Sequence, residues 1–296
     1  MKLGYPCINR SIGCTANSTF RLASYSEDRL IEAVKNNLDC LQKILAYNVA
    51  HNLLFFRISS KLIPFASHPI CTFDWKNYFK KDFEAVGNYI KKHAMRISMH
   101  PDQFVLINAK DKEIVKRSIA ELNYHCKVLD LMQLKDDAKV QIHVGGVYGD
   151  KGAAIDRFVY EYKKLPDCIK KRLVIEHDDH RFSFIDCLKI NKAIRIPIVF
   201  DTLHHECFNE GQTLREAIQL AAKTWQKKDG ILMVDYSEQE KDKRKGTHSQ
   251  TINIRKFKSF LEETQGLDFD IMLEIKDKEK SALKAIKMLS TFLTHP

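Results

Sequence analysis

The feature of this sequence that most restricts its fold is a regular alternation of short apolar runs with segments of helical spacing. Eight runs rich in β-branched and aromatic residues recur along the 296 residues. They cover residues 2–7, 53–58, 95–100, 139–144, 172–176, 196–201, 231–236 and 270–275. Segments such as 29–49, 114–132, 214–225 and 254–261 repeat apolar residues at helical intervals between them. Eight β–α units in a chain of this length predict a (β/α)8 TIM barrel, α/β in class, rather than a doubly wound sheet.

We expect a single domain over residues 1–296, because the alternation runs from end to end without a proline-rich or serine-rich linker. Two irregular segments, residues 63–75 and 238–247, are predicted to be loops after the second and seventh strands. In TIM barrels the loops that follow the strands carry the chemistry. The predicted active face is therefore the carboxyl end of the strands.

The charge balance favours an anionic partner. Lysine and arginine number 48 against 38 acidic residues, which gives a formal net charge of +10. Nucleic acid is the first candidate for such a partner. A basic enzyme without an anionic macromolecular partner remains an alternative, since net charge does not specify function.

Cysteine usage and the amino terminus predict an intracellular protein. The eight cysteines are scattered and form no CxxC pair. The first residues lack the apolar core of a signal peptide, and no apolar run approaches the roughly 20 residues of a membrane span. We expect a soluble, reduced, monomeric protein without a membrane partner, cytoplasmic and nucleoid-associated if the source is prokaryotic.

Six consecutive predicted strands end in a side chain that can bind a metal. These are His100, His143, Glu176, Asp201, Asp235 and Glu274. Because strand side chains alternate between faces, all six can point into the mouth of the barrel. The four carboxylates would repel one another there without cations. One catalytic ion usually takes three protein ligands, so we predict two or three divalent ions.

Histidines in the following loops could add ligands. His204 and His248 are the stronger candidates, and His68 and His205 the weaker ones. Glu176, central in the set, is the predicted bridging ligand. Nitrogen and oxygen donors without thiolate fit zinc, manganese or magnesium. Such a cluster hydrolyses phosphodiesters, which agrees with the basic composition.

Seven segments resemble, in chain order, those of the ultraviolet damage endonucleases, which are related to endonuclease IV. They read LGYPCIN, FRISSKLIPFASHP, SMHPDQF, IHVGGVYGDKG, VIEHDD, VFDTLHH and LEIKDKE, and together span nearly the whole chain. The resemblance implies incision of duplex DNA on the 5′ side of cyclobutane pyrimidine dimers and 6-4 photoproducts, leaving a 3′ hydroxyl. It also implies manganese as the usual ion.

The resemblance implies roles for several residues, and charge and position beside the predicted ligands suggest roles for Lys276, Lys151 and Arg244. The family's metal ligands fall on His100, His143, Glu176, Asp201, His204, His248 and Glu274. Catalytic roles are expected for Glu176, His100, His143 and Lys276, the last at the scissile phosphate. Contacts with DNA or the lesion are expected from Tyr5, Asn9, Gln103, Phe104, His68, Lys151 and Arg244.

The chain departs from the family pattern at two places. Many members carry a lysine, known to be carboxylated, and a histidine where this chain has Met233 and Asp235. Met233 excludes that modification, and we expect Asp235 to bind a metal through oxygen. The chain also reads HPDQF where members often read HPGQY. We expect Gln103 and Phe104 to wedge into the duplex, and packing of Phe104 in the barrel wall is the alternative.

Three other functions remain open from the sequence. They are an abasic-site endonuclease of the endonuclease IV type, a metal-dependent sugar isomerase or epimerase, and a module that binds damaged DNA without cutting it. Nucleotide binding is not expected, because the glycine-rich loop at residues 145–152 lacks the GK[ST] ending of a P-loop.

Overall fold

The computed structural model describes residues 1–294, and its centre is a closed barrel of eight parallel strands. The strands are β1 Leu3–Cys7, β2 Phe55–Ile58, β3 Arg96–Met99, β4 Lys139–His143, β5 Leu173–Glu176, β6 Ile198–Asp201, β7 Leu232–Tyr236 and β8 Phe269–Leu273. Each overlaps one of the predicted runs, and the predicted TIM barrel is confirmed. The last two residues of the predicted 1–296 domain lie outside the described part.

Helices connect successive strands. They are α1 Glu27–Ala50, α2 Trp75–Tyr78, α3 Lys80–Lys92, α4 Lys112–Leu131, α5 Lys151–Lys164, α6 Asp167–Lys170, α7 Phe184–Ile194, α8 Thr202–Cys207, α9 Leu214–Ala222, α10 Ile254–Glu263 and α11 Glu279–Thr294. Capping side chains define where the longer ones begin: Ser26, Asp111, Asp150, Ser183, Thr213 and Asn253 each accept a hydrogen bond from a first-turn amide. No helix within residues 1–294 is both long and apolar enough to cross a membrane.

The barrel closes through a close approach of β1 to β2. A Cβ atom on Gly4 would lie 1.4 Å from the carbonyl oxygen of Phe55, so only glycine fits there. On its other side β1 pairs with β8, with Leu3 opposite Ile271. This pairing brings the end of β8, and Glu274 after it, to the same mouth as the other strands.

A layer of apolar side chains fills the inside of the barrel below its mouth. We call this layer the barrel floor; it consists of Phe55, Val174, Val199, Met233 and Met272, all fully buried. Two residues further along the same strands lie, respectively, Arg57, Glu176, Asp201, Asp235 and Glu274. Because strand side chains repeat with a period of two, burial of the floor directs these polar side chains inward one layer higher.

One pair of cysteines differs from the sequence expectation. Cys14 and Cys40 form a disulfide, so the prediction of a fully reduced chain is wrong for this pair. The segment after β1 folds back onto α1 and brings the two Cα atoms to 6.0 Å, although 26 residues separate them. Such a contact depends on tertiary structure and is not visible in the cysteine spacing. The remaining six cysteines are free thiols.

Candidate metal centre and nucleic-acid interface

One group of potential metal ligands, Asp178, Asp179 and His180, lies in the loop after β5. Two further groups at the carboxyl end of the barrel share Glu176. His100, His143 and Glu176 form one, and Glu176, Asp201 and His204 form the other, with ligand atoms within 4.8 Å of one another. Glu176 Oε2 lies 3.4 Å from His100 Nε2 and 3.7 Å from His143 Nε2. Its Oε1 lies 3.0 Å from His204 Nδ1. The two carboxylate oxygens thus face different groups, as a bridging ligand requires.

Asp201, a potential metal ligand, is also the N-cap residue of α8, and this contact fixes its carboxylate. Its Oδ1 accepts the backbone N–H of His204 at 2.7 Å, which places that histidine beside Glu176. Its Oδ2 is buried and has no hydrogen-bond partner among the described residues. A buried carboxylate oxygen without a donor is costly unless a cation binds it. This free oxygen, with imidazole nitrogens nearby, fits a divalent metal ion.

Backbone carbonyls orient two further imidazoles. His100 Nδ1 donates to the carbonyl of Pro101 at 2.7 Å, and His248 Nδ1 donates to the carbonyl of Glu274 at 2.8 Å. In both rings Nε2 is then free to bind, which is the common arrangement of metal-ligating histidines. The Glu274 carboxylate lies 3.9 Å from His248 Nδ1. These two residues therefore extend the set of donors along the mouth.

The pKa values of the buried ligands depend on the positive charge that is available near the carboxylates. Burial would raise the pKa of Glu176, but His143, His100 and His204 hold it well below its ordinary value. Burial would lower the pKa of His204, but Asp201 and Glu176 raise it to about 11. Burial raises the pKa of Asp201 to about 6 against the opposing effect of His204. A proton on His204 supplies positive charge that these carboxylates otherwise lack.

Buried polar side chains on neighbouring strands contact these ligands. Arg57 Nη2 donates to both oxygens of Asp235 at 2.8 Å and to Gln141 Oε1 at 2.9 Å, and Nη1 pairs with Glu274. Gln141 Nε2 donates to Glu176 Oε2 and to Asp235 Oδ2, both at 2.6 Å. Although burial opposes its charge, Asp235 and Glu274 raise the pKa of Arg57. Asp235 belongs to neither ligand group, and its binding to a metal stays a prediction.

The residues predicted to contact the lesion differ in accessibility. Phe104 is 75% exposed and Gln103 is exposed beside it, so packing of Phe104 in the barrel wall is wrong. Tyr5 and Asn9 are buried. The Tyr5 hydroxyl donates to Asn48 Oδ1 at 2.6 Å and accepts from Asn9 Nδ2 at 2.8 Å. Both residues therefore lie inside the molecule in this structure, and their contact with a lesion stays a prediction.

The predicted basic and loop residues lie on segments that follow strands. Arg244 is exposed in the loop after β7, and His68 is exposed in the loop after β2. Lys151, at the start of α5, is half-buried and pairs with Asp186 at 2.9 Å. Lys276 is half-buried, two residues beyond Glu274. Their contacts with DNA and the catalytic role of Lys276 stay predictions.

Sequence reasoning missed Arg57, Gln141 and Lys278. A polar residue inside a strand that is buried on both faces is itself a signal, and Arg57 and Gln141 occupy such positions in β2 and β4. Gln141 also shares a strand face with His143, two residues later. Burial lowers the pKa of Lys278, and the charge of Glu274 opposes that shift. Nothing in the sequence distinguishes Lys278 from Lys276.

The barrel and the donors at its mouth define a class, TIM-barrel proteins with clustered metal-binding side chains at the carboxyl end of the strands. Within that class the chain belongs to the UV-endonuclease UvdE family, whose model matches residues 1–294. It is 42% identical over 291 residues to the UV DNA damage endonuclease of Clostridium perfringens, covering 98% of this chain and 71% of that protein. The UV DNA damage endonuclease of Bacillus thuringiensis subsp. konkukian is 34% identical over 301 residues, with coverage of 98% and 95%.

Solved structures agree with this membership. The crystal structure of SacUVDE has a TM-score of 0.95 and 45% identity to this chain, covering 99% of both chains. D-psicose 3-epimerase of Clostridium cellulolyticum H10 has a TM-score of 0.54 and 12% identity, covering 84% of this chain and 91% of that one. At that identity the likeness is one of fold alone. The predicted family is confirmed, and the sugar isomerase alternative has no support beyond the barrel.

Proposed function

We propose that this chain is a DNA repair endonuclease that nicks duplex DNA on the 5′ side of ultraviolet photoproducts, cyclobutane pyrimidine dimers and 6-4 photoproducts, by metal-assisted phosphodiester hydrolysis. One observation carries the proposal: two ligand groups share Glu176 at the open mouth of a barrel from the UV-endonuclease family. An abasic-site endonuclease would use the same chemistry on another lesion.

Two or three divalent ions would bind at the mouth, manganese first, with zinc and magnesium as alternatives. One would be held by His100, His143 and Glu176, a second by Glu176, Asp201 and Glu274, and a third by His204 and His248 with further donors. When bound, such ions stabilise the charge on the attacking and leaving oxygens of an in-line displacement and acidify water.

The residues of the chain orient and expose this site. Gln141 donates a hydrogen bond to Glu176 Oε2, which would help the carboxylate keep one oxygen toward each ligand group. His100 and His143 are 20% and 31% exposed, which leaves their side of the mouth open to a phosphate. The His204 imidazole lies 3.0 Å from the Glu176 carboxylate, where a protonated ring would offset its charge when no ion is bound.

The partner we propose is damaged duplex DNA. We propose that the protein binds it as a monomer, inside the cell, where the DNA is located. Gln103 and Phe104 project from the loop after β3 and would wedge into the helix at the lesion. Arg244, Lys151 and His68 would contact the phosphate backbone around it. Lys276 would stabilise the scissile phosphate.

Incision of defined duplexes tests the substrate. The wild-type protein is incubated with 5′-labelled duplexes that carry one cyclobutane dimer, one abasic site or no damage, with manganese, magnesium or zinc added. We expect a nick 5′ to the dimer and none in undamaged DNA. Cutting only at the abasic site would reject the photoproduct assignment, and binding without cutting under every metal would favour a damage-recognition module.

Glu176→Gln tests the shared ligand. The change keeps the shape of the side chain but removes its charge, so incision should fall roughly 100-fold or more. Binding to the dimer duplex should persist, because the basic surface is unchanged. Glu161→Gln, at a buried glutamate that pairs with Lys112 on the helical layer, is the matched control and should cut normally. Unaltered incision by Glu176→Gln would reject the bridging role.

A further inference from the structure

We propose that Arg57 and Asp235 form a buried ion pair that positions the metal ligands Glu274 and Glu176, and that Asp235 is not itself a ligand. The inference rests on the proposed metal-dependent function and assigns a role to the buried polar side chains beside the proposed ligands. Arg57 and Asp235 thus act as positioning residues through the two glutamates. Neither residue is proposed to touch DNA.

The first argument is the saturation of the Asp235 carboxylate. Its Oδ1 accepts a hydrogen bond from Arg57 Nη2, and its Oδ2 accepts from the same nitrogen and from Gln141 Nε2. Its side chain has no exposed surface. Asp201 stands opposite Asp235 in the pairing of β6 with β7, yet its Oδ2 has no partner among the described residues. Of these two neighbouring aspartates, Asp201 has an oxygen available for a metal ion. Both oxygens of Asp235 are instead hydrogen-bonded to Arg57.

The second argument is charge. A guanidinium 2.8 Å from both Asp235 oxygens would repel a divalent ion that approached the same carboxylate. The cation is also enclosed, because Arg57 is 2% exposed. Asp235 neutralises the Arg57 guanidinium, which water does not reach. A buried charge without such a partner is strongly unfavourable. The ion pair therefore leaves little net positive charge at Arg57 to repel the metal ions at the mouth.

The third argument is the connection to the ligands. Arg57 Nη1 pairs with the Glu274 carboxylate, so the same guanidinium fixes Asp235 and Glu274. Gln141 accepts from Arg57 and donates to Glu176 Oε2, the oxygen that faces His100 and His143. Loss of the ion pair would leave both glutamates without the support that sets their orientation. Groups that support ligands in this way typically contribute 10–100-fold to metal affinity.

The test measures manganese binding without DNA. Free Mn²⁺ is followed by its paramagnetic resonance signal, which gives the number of bound ions and their dissociation constant for wild type, Asp235→Asn and the double variant R57M/D235N. We expect Asp235→Asn to keep the wild-type number of ions but to bind them roughly 10–100-fold more weakly, because Arg57 is left uncompensated. The double variant, which lacks that cation, should bind more tightly than Asp235→Asn.

Three further variants separate the role of the polar contacts from a general loss of stability. Gln141→Met removes the donor to Glu176 without changing charge, and it should also weaken Mn²⁺ binding with the number of ions unchanged. The matched control is the buried pair of Arg96 and Asp270, 2.9 Å apart at the opposite end of the barrel. Arg96→Met and Asp270→Asn should lower the melting temperature and leave Mn²⁺ binding as in wild type.

Several results would overturn the inference. They are a lost ion in Asp235→Asn, a double variant that binds no more tightly than Asp235→Asn, and a Gln141→Met variant with wild-type affinity. Because incision is not measured, these results are independent of the lesion that the enzyme cuts. A wild-type protein that binds no divalent ion would instead reject the metal-dependent function, and this inference with it.

Discussion

His125 shows at the residue scale that a histidine can be buried in this protein without belonging to the metal site. It lies on α4, fully enclosed, and its Nδ1 donates to the carbonyl of Glu121 at 2.8 Å. Its Nε2 is buried without a hydrogen-bond partner among the described residues. Desolvation therefore lowers the pKa of His125 to about 4. The sequence distinguishes this histidine from the ligands only by its position in the middle of a long predicted helix, residues 114–132, rather than at or just after a strand end.

The pKa of His125 predicts acid sensitivity of the fold. Since its pKa is near 6.5 in the unfolded chain and about 4 in the folded one, the unfolded state takes up the proton first as the pH falls. The free energy of unfolding should fall by about 2 kcal/mol between pH 7 and pH 5 through this residue. Urea unfolding of His125→Phe, without added metal, should lack that part of the loss. The exposed control His51→Phe should keep the wild-type dependence, and equal losses in all three proteins would contradict the prediction.

At the scale of elements, the loops of the mouth support one another. Gly246, in the loop after β7, has a φ of +82°, and a Cβ there would lie 2.3 Å from Asp179 Oδ2 in the loop after β5. The same loop is joined to its own far end by a bridge between Gln239 and His248. The contact between the two loops therefore helps to set where His248 and the basic residues lie. The irregularity of residues 238–247 was predictable, whereas this contact was not.

Gly246→Ala should separate loop placement from stability. Gly266→Ala is the matched control, because Gly266 has a φ of +83° and open space around it. Both changes strain a left-handed backbone and should cost about 1 kcal/mol of unfolding free energy. Only Gly246→Ala should also reduce incision, by roughly 10–100-fold, because it displaces a ligand-bearing loop. Equal incision by the two variants would show that the loop contact is unimportant for activity.

At the scale of the whole molecule, the local charge at the barrel mouth differs from the net charge of the chain. The net charge is +10, yet the mouth collects four carboxylates, those of Glu176, Asp201, Asp235 and Glu274. Arg57 offsets part of that charge, and divalent ions would outweigh the remainder. The face that meets DNA should therefore be more positive with ions bound than the sequence total suggests.

The salt dependence of DNA binding checks this arrangement. Affinity for the dimer duplex should fall linearly on a logarithmic scale with salt concentration, since each phosphate contact releases counterions. Arg244→Ala should reduce the magnitude of the slope by about 1. Lys258, exposed on α10 and paired with Glu262, is a control whose replacement by alanine should leave the slope unchanged. An unchanged slope for Arg244→Ala would remove that residue from the interface.

The sequence alone determined the barrel and the donors at its mouth. A period of two along each strand, repeated eight times, places Glu176, Asp201 and Glu274 two residues beyond buried apolar positions, and this relation is local. The tertiary structure decided which groups meet. It joined Arg57 to Asp235 across the barrel, buried Tyr5 beside Asn48, and brought Cys14 to Cys40. The physical reason is that such contacts depend on the distance between side chains from strands and loops far apart in the chain, which no spacing within one segment records.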